Sequence, residues 1–240
     1  MKKRLIVTAL AMAMGLGAAA QTQNPLLERR FNTPYEIAPF EKITTENYRE
    51  AFLRGMEEQK KEIDAIVDNG AAPTFENTIV ALDESGQLLS RTAGVFYGLS
   101  RSCSTPEYQQ LESELSPLLS AHSDYMNMNE ALFARIKMVY DQQASQNLNT
   151  EQKRLLEKTY KGFVRGGALL GKEQKQRMSE INLQLSKLQL QFTQNLLHDT
   201  NNTYVTVSDV KELEGLSEGD IQKAAALAER TGAKGQYRFN

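Results

Sequence analysis

One stretch, Lys172 to Asp199, constrains this chain more than any other. It reads KEQKQRMSEINLQLSKLQLQFTQNLLHD, an uninterrupted helical pattern without proline or glycine. Met178, Ile181, Leu185, Leu188, Phe192 and Leu196 recur at spacings of three and four, which places them on one face of an α-helix. Leu183, Leu190 and Leu197 fall on the opposite face. A helix apolar on two sides is predicted to lie between two layers of other helices. Burying all these side chains would contribute roughly 15–25 kcal/mol before ordering entropy is set against it. The fold class that follows is all-α, a multi-helix bundle packed around this helix. None of these side chains can carry a proton, a metal or a nucleophile, so the stretch predicts architecture and no chemistry.

The opening residues stand apart from that bundle. Lys2, Lys3 and Arg4 are followed by an apolar run from Leu5 to Ala19 and by the small residues Ala18, Ala19 and Ala20. Residues 1–20 read as a removed signal peptide, since the run is broken by Gly15 and Gly17 and is short for a bilayer. An exported, periplasmic protein is therefore expected, with no membrane contact once the signal is gone. Its removal takes away three positive charges, so the formal net charge moves from −2 to −5. A mildly acidic domain is a poor partner for nucleic acid or anionic membrane.

Residues 21–43 hold Pro25, Pro34 and Pro39 with Phe31, Tyr35 and Phe40 among them, which predicts an extended arm with aromatic anchors. The helical region, 44–240, then begins. Thr44 or Thr45 caps a helix reaching Asn69, with Gly70 just beyond it. Thr74 caps a second, from Phe75 towards Ser100, on which Gly94 and Gly98 predict close approach of a neighbouring helix. Thr105 and Pro106 open a third, which Pro117 is expected to kink or restart, and which reaches about Met128. Asn129 caps a fourth, and Thr150 a fifth that meets Gly166-Gly167 at a bend or an end. After Asp199, Thr203 to Val207 reads as a short strand. Ser217 caps a last helix, Asp220 to Arg230, and Lys234 to Asn240 opens another strand. The chain stops inside that strand, so the protein is expected to continue beyond Asn240.

Few residues carry chemistry of their own. Cys103 has no partner cysteine, and the nearest histidine, His122, is nineteen positions away; a half-buried free thiol is expected. His122 and His198, seventy-six positions apart on different helices, are read as a histidine near a kink and one near a helix end. Glu57, Glu58 and Glu62 beside Lys60 and Lys61 read as a solvated helix face.

Several segments carry a resemblance in a fixed order. Pro73-Thr74-Phe75-Glu76-Asn77-Thr78 follows a helix that begins ITTENYREAF and ends EIDAIV. Around it stand Pro39 to Ile43, Ser116 to His122, Leu132-Phe133-Ala134-Arg135, Arg154 to Leu156, Phe163 to Ala168, and Leu213 to Leu216. Together they span nearly all of residues 24–240. In this the chain resembles the amino-terminal region of the thimet oligopeptidase family of zinc metallopeptidases, and more narrowly its bacterial peptidyl-dipeptidase branch.

That resemblance implies a two-lobed, almost wholly helical protein with a deep channel, of which this region forms part of one lobe. It implies zinc held in a later domain by H-E-x-x-H and a further glutamate, with short peptides losing dipeptides from their carboxyl ends. This chain has no H-E-x-x-H. We therefore expect no catalytic, cofactor-binding or metal-binding residue within it, and no peptidase activity from these residues alone. The alternatives are a non-catalytic helical module of the cell envelope that binds peptides or a partner, and a purely structural bundle.

Overall fold

The computed structural model describes residues 24–240. The expected signal peptide lies outside the described residues. Eight α-helices and one two-stranded sheet follow a short arm.

The hub of the bundle is α1, Thr45–Val67. Thr44 starts it through a capping box: its hydroxyl accepts from the Asn47 N–H, while the Asn47 side chain accepts from the Thr44 N–H. The first half of α1 buries Tyr48, Ala51 and Phe52 against α3, Gln87–Ser102, and α4, Pro106–Asn127. Tyr48, Phe96 and Tyr108 meet edge to face there, with centroids 5.1–6.1 Å apart. Burial, with Tyr108 adding to it, pushes the Tyr48 phenol up to about 12. The second half of α1 buries Ile63 and Ile66 in another cluster, with α5, Glu130–Asp141, and α6, Thr150–Arg165. One helix thus supplies both cores.

The arm is better anchored by its backbone than by its aromatics. It makes three 3₁₀ turns, Pro25–Leu27, Pro34–Glu36 and Phe40–Lys42. Leu26 and Phe31 are buried, and Arg91 donates to the carbonyls of Leu26 and Arg29 at 2.9 and 2.7 Å. Of the expected anchors only Phe31 serves: Tyr35 is 95% exposed at a left-handed turn, φ 59°, and Phe40 is exposed as well.

The expected single helix from Phe75 to Ser100 is three pieces. A π-helix, Phe75–Val80, capped by Thr74 and Asn77, runs into a single turn, α2, Ala81–Asp83. The chain then breaks at Gly86, φ 71°, before α3. Glu62 holds that break by accepting from the Gly86 N–H at 2.7 Å, which removes it from the purely solvated face expected for it. A Cβ on Gly94 or Gly98 would meet nothing within 4 Å, so no helix approaches there. The close approach is instead at Gly55, where α1 lies against the backbone of Leu89. Pro117 neither ends nor restarts α4, which runs through it. Asn149, not Thr150, caps α6, which ends at Gly166-Gly167.

The largest correction concerns α7, Lys172–Asn202. It contains no buried residue. It runs antiparallel along α4: Ser179 meets Met128, Asn182 meets Asp124, and Gln194 meets Ser113. Leu190 and Leu197 are half-buried on that side, whereas Ile181, Leu185, Leu188, Phe192 and Leu196 are exposed. Leu183 is exposed too. Among the described residues the helix has one of its two expected layers.

Beyond α7, β1, Val205–Val207, pairs antiparallel with β2, Tyr237–Phe239, in the register Val205 to Phe239 and Val207 to Tyr237. Between them α8, Glu218–Arg230, buries Ala224 and Ala228. The chain is all-α apart from this ribbon, as expected.

Candidate functional site

A groove of about 730 Å³ is bounded by α3, α4, α7 and the end of α6. Its walls come together because small residues let the helices meet. A Cβ on Gly166 would stand 2.9 Å from the Asn127 side chain, and one on Gly167 2.8 Å from the Met178 sulfur. The backbone at Gly167 is left-handed, φ 97°, which releases the chain from α6 towards α7.

The groove is lined by polar and apolar side chains together. The Asn182 amide donates to Asp124 Oδ1 at 2.7 Å, tying α7 to α4. Lys175 donates to the Met128 carbonyl at 3.1 Å and to Glu130 at 2.8 Å near one end, which holds the Glu130 carboxyl below its ordinary range. At the other end the Ser100 hydroxyl donates to Glu112 at 2.8 Å. Burial, with the Glu112 carboxylate beside it, raises the Tyr97 phenol despite the opposing charge of Arg101. Arg101 lines the same wall, is exposed, and has no ion pair among the described residues. Leu119, Met178 and Leu190 supply the apolar part.

Such a lining offers hydrogen bonds and one free cation to an extended chain, with apolar surface for side chains. Among the described residues, no histidine or cysteine lines it.

The histidines lie elsewhere. His122 is buried against α1, its Nε2–H donating to the Gln59 carbonyl oxygen at 2.7 Å. Its Nδ1 is buried and has no partner. Burial first, and Lys60 second, lower its affinity for a proton. His198 is exposed and turns back to its own helix, where Nδ1 lies 3.3 Å from the Asn202 amide. Cys103 is exposed, not half-buried as expected. Glu57 and Glu58 pair with Lys61 and Arg54 on the solvated face, as expected. Among the described residues no group of three or more histidine, cysteine or acidic side chains is placed to hold a metal ion. The donors of a catalytic zinc, converging imidazoles and a carboxylate, do not fit what these residues offer.

Sequence reasoning named Gly166, Met178, Leu185 and Leu190 as architecture only, and assigned no groove residue to a site. Tyr97, Arg101, Glu112, Asp124 and Asn182 are polar or amphipathic side chains at ordinary helical positions, and only the packing of three helices assembles them.

No family model matches the chain. Curated proteins do. It is 37% identical to the dipeptidyl carboxypeptidase of Salmonella typhimurium over 214 residues, 89% of this chain and 31% of that protein. It is 34% identical to the Escherichia coli dipeptidyl carboxypeptidase over 90% of this chain and 32% of that protein. Oligopeptidase A of Escherichia coli matches at 32% over 86% of this chain and 30% of its own length.

Over the stretch it shares with these peptidases, the chain belongs to the thimet oligopeptidase family.

It spans about a third of the length of the curated relatives it matches. The match covers 86–90% of this chain and so takes in most of the described helices. Among the described residues no helix is long and apolar enough to cross a membrane.

Proposed function

We propose that this chain is the amino-terminal helical region of an exported zinc peptidyl-dipeptidase, which removes dipeptides from the carboxyl ends of short peptides. On this reading residues 1–20 are its signal peptide, 21–43 its arm, and 44–240 part of the lobe that walls the substrate channel. The observation that carries it is the kinship spread over 89% of the chain. The choice of branch rests on the higher identity to two dipeptidyl carboxypeptidases, 37% and 34%, than to oligopeptidases A, 32% and 29%. The zinc ligands and the water-activating glutamate belong to residues beyond Asn240, and no step of the chemistry is assigned to this chain. The groove of α3, α4 and α7 contributes binding surface for peptide, not reacting groups.

The test has two arms. The purified 240-residue chain is expected to hydrolyse no peptide, and the complete product isolated from its own cells to release dipeptides in a chelator-sensitive way. Chelator-sensitive cleavage by the 240-residue chain alone would overturn the assignment of the zinc site to later residues.

A second reading is supported by the groove being complete within the described residues: a short envelope protein that binds peptides without cutting them. A native mass equal to that of residues 21–240, together with peptide binding by the purified chain, would favour it.

A further inference from the structure

The outer face of α7 belongs to neither core, and of its stripe only Leu185 also edges the groove. Ile181, Leu185, Leu188, Phe192 and Leu196 form a continuous stripe, with Leu188 61% and Phe192 69% exposed. At 1.5 Å per residue it is roughly 22 Å long. Monomeric proteins seldom leave a stripe of this kind in water. Nothing in local helix formation asks for it either, since glutamine and lysine stabilise a helix about as well as leucine does. The side opposite the stripe already packs on α4, so the helix is built to be covered twice.

We propose that the second cover is the polypeptide that follows this stretch in the longer protein, which seats an apolar helical or sheet surface on Ile181 to Leu196. This rests on the reading of the chain as part of a longer peptidase. The matched relatives carry about two-thirds of their length outside the shared stretch, 69% for the first of them, which on this reading supplies a joined body larger than this one to cover the face. The face is also the wrong size for a second copy of the chain. One helix width of about 10 Å over that length gives roughly 200–300 Å² per partner. Independent proteins need about 800 Å² each for a stable interface. A covalently joined segment needs far less, because its effective concentration replaces the missing area. With the stripe covered, α7 becomes the wall between the groove on one side and the rest of the protein on the other.

The test is hydroxyl-radical footprinting of the complete native product, read at Leu188 and Phe192. Intact mass and chelator-sensitive peptide hydrolysis are recorded on the same sample. The expected result is a long, active, monomeric product in which both residues label about tenfold or more slowly than in the same product unfolded by urea. Phe192→Asp in that product is expected to bring Leu188 labelling back towards the unfolded rate. A long, active product whose Leu188 and Phe192 label as fast as when unfolded overturns this inference and leaves the peptidase reading standing. Protection that appears only as the sample dimerises overturns it in favour of a second copy. A native mass matching residues 21–240 removes the peptidase reading and this inference together.

Discussion

A Cβ placed on Gly55 of α1 would lie 2.9 Å from the Cα of Leu89 on α3. The two helices are therefore in backbone contact at that point, and the contact sets how deeply Phe52 and Phe96 interlock beside it, at 5.6 Å between centroids. Gly55→Ala is expected to push the helices apart. Overpacking costs about 1–3 kcal/mol, which the better helix propensity of alanine offsets by up to about 1 kcal/mol. Gly55→Val adds bulk without that offset, and its unfolding midpoint in urea should fall further than that of the alanine variant.

Arg135 is a buried guanidinium that answers carbonyls instead of a carboxylate. It donates to the Asn69 carbonyl at 2.7 Å and to Asn77 Oδ1 at 3.2 Å, joining the end of α1 to the capping box of the π-helix. Arg135→Ala removes both charge-assisted hydrogen bonds and leaves a buried side-chain site empty, and is expected to cost about 1.5–3 kcal/mol. Arg135→Lys should recover only part, because an ammonium cannot reach both with a planar fork. Chemical unfolding of the pair of variants, measured side by side, checks the order.

Gly86 combines a left-handed backbone, φ 71°, with the Gln59 side chain only 2.3 Å from where a Cβ would sit. Gly86→Ala strains the turn and displaces the amide that holds His122. A loss of about 1–2 kcal/mol is expected. The histidine should report it directly, through a change in its ring proton shifts that a remote destabilising substitution would not produce.

His122 makes stability depend on pH in a defined window. Burial holds its proton affinity below the ordinary value of 6.5, so the unfolded chain takes up a proton that the folded chain refuses. Its contribution is complete above pH 6.5 and is lost as pH falls from there through the lower folded value. Glu57, Glu114 and Glu157, held low by hydrogen-bonded lysine and arginine partners, add their slope only below 4.5. Urea unfolding stepped downward from pH 8 should show the first slope beginning near 6.5, and His122→Gln should remove it while leaving the acid slope.

Most of the local architecture was legible before any packing was known. The cap expected at Thr44 or Thr45 is Thr44, and the starts at Thr105-Pro106 and Asn129 stand where expected, because each depends on neighbours within a few residues; the strand expected over Thr203 to Val207 forms at Val205–Val207. The break at Gly86 was not legible, because its left-handed turn is held by Glu62, 24 residues away. The groove was not legible for the same reason: Arg101, Glu112, Asp124 and Asn182 come from three helices, and no spacing along the chain links them.

What the sequence by itself determined is most of the helices, several of their caps and, through ordered short matches, the kinship; it missed the division of Phe75–Ser102 into three pieces and the cap at Asn149. Which helix is central was decided only by the tertiary structure. Periodicity states that a face will leave water, but not what will cover it, and α1 and α7 look alike on that measure. α1 won because Gly55 and Ala51 let α3 reach its backbone while Ile63 and Ile66 meet α5 and α6 further along. α7 has leucines as good as any in the chain, and Leu183, Leu185, Leu188 and Leu196 stay exposed because hydrophobic burial needs a second surface, which the described residues do not supply.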